Sequence, residues 1–171
     1  VSTLTSTGYT VSDISLWNDV SIFAIIVLMY VGASSGSTTG SIKVWRFLVV
    51  LKDVYRGIVK YMKPRHAVLP LRLGGAIMEE AEVDKIKTFV LIYIISTIIF
   101  SLIFMSFGFS LKESLFTVAS AQGNMGLSIV QTSQWFNMPD LAKILLSASM
   151  WLGRLEILPA LVFLRSLLPL R

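Results

Sequence analysis

Of the 171 residues, 54% are apolar and only 15% carry charge, and the mean hydropathy is strongly positive. A soluble domain of this length would carry more charge, so the composition excludes an ordinary soluble enzyme and points to an integral membrane protein. With no cysteine there is neither a disulfide framework nor a thiolate metal site, and the net charge of +5 is concentrated in one stretch between apolar segments.

The chain opens on Val1-Ser2-Thr3-Leu4-Thr5, without Met, basic n-region or apolar h-region, and reads as a piece of something longer. Ser6-Thr7-Gly8-Tyr9-Thr10 follows, a glycine among small and polar residues. Asp13 and Asp19 with no Lys or Arg nearby suit an external loop. Residues 20–31 are apolar but would reach only roughly 18 Å as a helix. Gly32-Ala33-Ser34-Ser35-Gly36-Ser37-Thr38-Thr39-Gly40-Ser41 interrupts them, and apolar character resumes over 42–51. The pattern predicts one broken helix around a polar loop.

Lys43, Arg46, Lys52, Arg56, Lys60, Lys63, Arg65 and Arg72 crowd the next stretch, opposed there only by Asp53. A basic run can bind nucleic acid. Between two apolar segments the positive-inside rule is the simpler account, and it places 52–87 in the cytoplasm. His66 lies in that linker without a second ligand at metal spacing, so it reads as solvated. No set of nucleophile, base and orienting group can be assembled, and nothing argues for an enzyme.

The run 88–107 (TFVLIYIISTIIFSLIFMSF) has no charged side chain and is long enough for the ~30 Å hydrocarbon core. Residues 110–121 (SLKESLFTVASA) open with Ser110 and have Glu113 three places on, a capping-box pattern. Too short to span, this segment suits a re-entrant pore helix leading into Asn124-Met125-Gly126-Leu127-Ser128. Residues 129–139 would lie outside, and 140–165 would descend again toward Arg165 and Arg171.

An internal repeat emerges. Gly8 and Gly126 each sit among small or polar residues, with Thr10 or Ser128 two places on. Met29-Tyr30-Val31-Gly32 follows the first and Met150-Trp151-Leu152-Gly153 the second, at offsets that agree to within three residues. An ion leaving water needs fixed oxygens in place of its hydration shell, and extended backbone supplies carbonyls for this. Glycine permits the angles that turn neighbouring carbonyls inward. Either glycine alone could be an ordinary turn beside a helix end. Two, each followed by a matched helix, favour a filter, because hydrocarbon tolerates irregular backbone only where protein buries it or water lines it.

Glycines 32, 36 and 40 also form a G-x-x-x-G ladder, which in membranes usually means close helix packing. Ser and Thr fill most of the intervening positions, so a loop facing a water-filled path is the better account. No Gly-Lys-Ser/Thr ending makes it a phosphate loop. Arg154 and Glu156 stand inside the last apolar span, where a central Arg costs ~2.5–3.5 kcal/mol. Either the two pair structurally, or Arg154 finds acceptors in the 32–41 loop. Its repeat counterpart is Ala33.

At these residues the sequence resembles the Trk/Ktr/HKT superfamily of potassium transporters. The 6–10 segment, MYVGASSGSTTGSIKVWR (29–46), PRHAVLPLRLGG (64–75) and WLGRLEILP (151–159) look like its third and fourth units, and Glu156 is closer to the Trk branch than to Ktr. The resemblance implies an all-α integral membrane fold of pore-loop units (M1, pore helix, filter, M2) of potassium-channel type, with one broken M2. It divides the chain into 1–57 (third-unit filter and broken M2), 58–84 (cytoplasmic linker) and 85–171 (complete fourth unit). It implies a single-glycine filter at Ser6, Thr7, Gly8, Tyr9, Asn124, Met125, Gly126 and Leu127. Residues 32–40 match the intramembrane loop that gates the path, with Arg154 associated with it. Transported K+ is the implied ion, with no cofactor in this chain. The implied setting is a multi-pass protein of the cytoplasmic membrane, a homodimer with a cytoplasmic nucleotide-binding regulatory subunit. A secondary transporter with a midplane site and a non-transporting assembly subunit are the rivals.

Overall fold

The computed structural model describes residues 2–34, 36, 37, 39–63 and 70–154. The expectations for Ser35, Thr38, His66, Glu156 and the end of the last span lie outside those residues. A one-turn 3-10 helix, Ile14–Leu16, is capped by the Asp13 carboxylate, which accepts from the Ser15 N–H. Helix α1, Asp19–Val31, is apolar all round and ends at Gly32, whose φ of 63° closes the last turn.

Residues 32–43 separate α1 from α2, Val44–Tyr61. This second helix is longer than the apolar run 42–51 from which it was expected. Its polar residues fall on one face, so amphipathic periodicity carries it through the basic stretch to Tyr61. The linker expected over 58–84 is therefore partly helical, and it also holds a small hairpin that the all-α expectation omitted. Strands β1, Arg72–Leu73, and β2, Ala76–Ile77, pair antiparallel with Arg72 opposite Ile77. Gly74 and Gly75 both take positive φ, as a two-residue hairpin turn of the primed type requires. The hairpin is anchored because Leu71 and Leu73 are buried with Val49 of α2 and Val83.

Helix α3, Glu80–Met105, begins earlier than the apolar run 88–107, with Glu80 and Glu82 favouring the positive end of its dipole. Among the described residues it is the one helix long and apolar enough to cross a membrane. Phe89, Tyr93, Thr97, Ser101 and Phe104 form its buried stripe, while Leu91, Ile95, Ile98 and Leu102 face outward.

Helix α4, Leu111–Gln122, is central and packs against α1, α3 and helix α6, Asp140–Arg154. Its capping box is complete: Ser110 Oγ accepts from the Glu113 N–H, and the Glu113 carboxylate accepts from the Ser110 N–H at 2.9 Å. Five residues, Thr132–Phe136, make the short helix α5 in the segment expected to lie outside. Two apolar clusters flank α4: one joins Phe116 to Ile22, Met29 and Met125, the other joins Val118 to Phe104, Ala142 and Leu146.

Candidate functional site

The end of α4 closes in a way that sets the path of residues 124–127. Asn124 N–H donates to Ala121 O at 3.0 Å and Met125 N–H to Ser120 O at 2.9 Å, with Asn124 at φ 54° between them. That is a Schellman closure, a left-handed residue terminating a helix. Gly126 then takes φ 82°. Met125 and Leu127 bury their side chains in the α1–α4 cluster while Gly126 between them is exposed. Glycine's positive φ turns the backbone between these two buried side chains.

Residues 2–8 repeat the closure. Thr7 N–H donates to Ser2 O at 3.0 Å, the same five-residue step back, and Ser6 at φ 52° and Gly8 at φ 76° match Asn124 and Gly126. Residues 2–6 form a turn that ends in the same way as α4 does at Asn124. Nothing in their apolar periodicity announces it.

The two segments meet. A Cβ built on Gly8 would overlap the Met125 carbonyl oxygen, and Ser6 Oγ lies 3.5 Å from Gly123 O. Gly126 has open space where its Cβ would be. Tyr9 is exposed whereas Leu127 in the matching place is buried, so the two segments are related but not equivalent. Beyond them, Asp13, Ser128, Gln131 and Trp135 line an open cavity of about 510 Å³. Trp135 Nε1 donates to Ser128 Oγ at 2.9 Å there.

The segment between α1 and α2 is tied at its ends: Ile42 N–H donates to Tyr30 O at 3.1 Å, and Val44 N–H to Ala33 O at 3.2 Å. Ser34 and Gly36 are exposed, and Ser37 N–H donates to Ser34 O at 3.0 Å. Thr39, Gly40, Ser41 and Ile42 are buried. A Cβ on Gly40 would come within 2.7 Å of Gln122 O, 2.9 Å of Asn124 Nδ2 and 3.1 Å of the Gly153 carbonyl carbon. Gly153 itself touches Gln122 O. The loop thus abuts both the end of α4 and the end of α6. Arg154 follows Gly153 directly and is exposed.

Three polar side chains that belong to no motif in the sequence, Gln122, Ser96 and Thr97, lie behind this junction. Gln122, fully buried, accepts from Thr97 Oγ1 at 2.6 Å through Oε1 and donates from Nε2 to Ser96 Oγ at 2.8 Å. Asn124 Nδ2 donates to Met150 O at 3.2 Å. The signal was present: Ser96 and Thr97 are the polar pair in the middle of a membrane-length apolar run. Below, Asp53 joins α2 to α3 through Lys87 at 2.9 Å and also pairs with Arg56 at 2.8 Å. Partial burial works against the Asp53 carboxylate, but Lys87 and Arg56 outweigh it and hold its pKa below the usual range.

The family model for TrkH, described as a cation transport protein, matches residues 1–170. An uncharacterized cation transporter of Methanocaldococcus jannaschii is 34% identical over 98% of this chain and 35% of its own length. The Trk system potassium uptake protein TrkG of Escherichia coli is 33% identical over 94% of this chain and 33% of its own. The crystal structure of the potassium transporter TrkH from Vibrio parahaemolyticus matches with a TM-score of 0.83 at 26% identity, across 95% of this chain and 35% of that one. The chain spans about a third of the length of these relatives.

Proposed function

We propose that this chain, which belongs to the TrkH family of cation transport proteins, supplies two filter segments and a gating loop to a potassium-uptake pathway. The observation that carries this reading is the pair of matching closures brought together at Gly8 and Met125. Each has a turn ending in a left-handed residue, then a non-helical segment with glycine at positive φ. Carbonyls held this way can replace the hydration shell of a bare cation. The last-turn dipole of α4 points its negative end toward the same place.

In this reading Ser6, Thr7, Gly8 and Tyr9 form one wall and Asn124, Met125, Gly126 and Leu127 the next. Two walls leave part of the ion's surroundings unfilled, and an unpaired ion in a dry passage is costly. Further segments from the rest of the transporter would complete the ring. Helices α1 and α2 are the halves of one interrupted crossing, and residues 32–40 between them obstruct the path, with Arg154 beside them. The division at 1–57, 58–84 and 85–171 follows from the same scheme.

The setting we propose is the cytoplasmic membrane, crossed several times, with K+ as cargo and no cofactor. A homodimer and a cytoplasmic nucleotide-binding regulatory subunit are the proposed partners. The exposed Leu51, Tyr55 and Ile58 of α2 and the basic residues beside them offer such partners a surface. The test is Gly126→Ser in the complete transporter, with rubidium and sodium uptake measured in cells lacking their own potassium importers. Loss of potassium preference at normal abundance is expected. An unchanged preference would remove Gly126 from the filter.

A further inference from the structure

We infer that Gln122 is a positioning residue that sets the filter carbonyls and the gating loop against one another, through a buried polar clamp on α3. The inference rests on the filter reading above and extends it to residues that line no part of the path.

Gln122 is the last residue of α4 and immediately precedes the Schellman turn that places Asn124 to Leu127. Its side chain and its backbone carbonyl act in different directions. The side-chain amide goes wholly to one turn of α3: Oε1 takes the Thr97 hydroxyl at 2.6 Å, and Nε2 reaches Ser96 Oγ at 2.8 Å and Tyr93 O at 3.4 Å. Thr97 and Gln122 are both fully buried. With water excluded, an amide that loses these partners has no replacement for them, so the end of α4 is locked at one height along α3.

The backbone carbonyl faces the opposite way. It is the atom that Gly40 of the loop and Gly153 of α6 both approach, and Asn124 Nδ2 lies 3.5 Å from it. A shift of Gln122 along α3 would therefore move the filter turn and the loop seat together. The loop has a second tie to the clamp. Tyr30, whose carbonyl accepts the loop-closing Ile42 N–H, packs edge-on against the ring of Tyr93, whose own carbonyl accepts from Gln122 Nε2. Tyr93, one turn from Thr97 on α3, is thus met by the filter support on one side and by the root of the loop on the other. A buried glutamine serving only to fill the core would need none of these backbone approaches.

The test uses the complete transporter, reconstituted or in cells, with membrane abundance measured for each variant. Thr97→Val keeps the side chain's shape and removes the hydroxyl that Gln122 accepts from. Gln122→Leu removes the whole clamp, and Thr97→Ser restores the hydroxyl. The expected result is that Thr97→Val lowers the potassium-to-sodium uptake ratio about fivefold, the factor matching one ordinary net hydrogen bond. Leak flux should rise alongside, and Thr97→Ser should recover most of the ratio. Gln122→Leu should act in the same direction, and if it does not accumulate, Thr97→Val decides. Gly126→Ala is run in parallel. If it shifts the ratio and Thr97→Val does not, the filter reading stands and the clamp is overturned. If neither shifts it, the filter reading itself has failed and the clamp falls with it.

Discussion

Gly8 and the Met125 carbonyl are in direct contact, so close that a methyl group on Gly8 would overlap the carbonyl oxygen. Gly126 meets nothing in the equivalent direction. Both glycines have positive φ, where an L side chain costs roughly 1–2 kcal/mol. The two should therefore fail differently. Gly126→Ala is expected to accumulate near the normal level with weakened potassium preference, whereas Gly8→Ala should lose abundance as well. Quantified membrane protein beside rubidium and sodium uptake separates these outcomes. Equal abundance of the two variants would refute the contact.

The loop glycines are expected to divide in the same manner. Gly36 is exposed, and a Cβ there touches nothing, so Gly36→Ala should transport as the parent does. Gly40→Ala would press on Gln122 O and Asn124 Nδ2 and should unseat the loop, raising basal flux. Arg154→Ala, or a shortened loop, should raise basal flux too, if Arg154 holds the loop down. Expression and oligomer content come first. A well-folded Arg154→Ala protein with unaltered flux and regulation would defeat the gating role.

Ser110→Ala should cost about 1 kcal/mol of stability, the usual loss for an N-cap hydroxyl. It removes the hydroxyl that accepts from the Glu113 N–H and donates to the Glu113 carboxylate at the start of α4. Thermal unfolding in detergent should show a lowered midpoint, with ion preference retained in the protein that remains folded. A midpoint equal to the parent's would mean that the cap contributes nothing.

Asp53 sets an acid limb. Its folded pKa lies below its unfolded value, so the native state favours the carboxylate. The stability this supplies is fully present above the unfolded value of about 3.9 and is lost as pH falls through the lower, folded one. Acidification below about pH 4 should loosen the α2–α3 contact made through Lys87. Asp53→Asn should be less stable at neutral pH and flatter with acid. Limited proteolysis of the 70–80 hairpin region across pH reads this directly, and a variant with the parent's acid slope would exclude Asp53.

Local signals were legible where one residue type does one job. Ser110 and Glu113 announce the start of α4, and the Gly/Ser/Thr run announces the interruption before α2. The hairpin was not legible although Gly74-Gly75 between Leu73 and Ala76 is a primed-turn signal, because strands of two residues are too short to show alternation. The closure at residues 2–6 was illegible for a different reason. A last helical turn carries too few residues to show a period, and its identity lies in the φ of Ser6. The contacts of Gln122 needed α3 and α4 side by side, since Thr97 and Gln122 are far apart in the chain and only packing brings them together.

Ser6 and Asn124 hold the same place in their closures but use their side chains differently. Ser6 Oγ lies near Gly123 O of the adjoining segment, while Asn124 reaches Met150 O on α6. A passage built from identical subunits repeats every substitution around its axis, so each change arrives multiplied. Walls encoded separately along a chain escape that constraint. One sector can stiffen or widen while its neighbours keep their shape, and selectivity can then be retuned in small, independent steps.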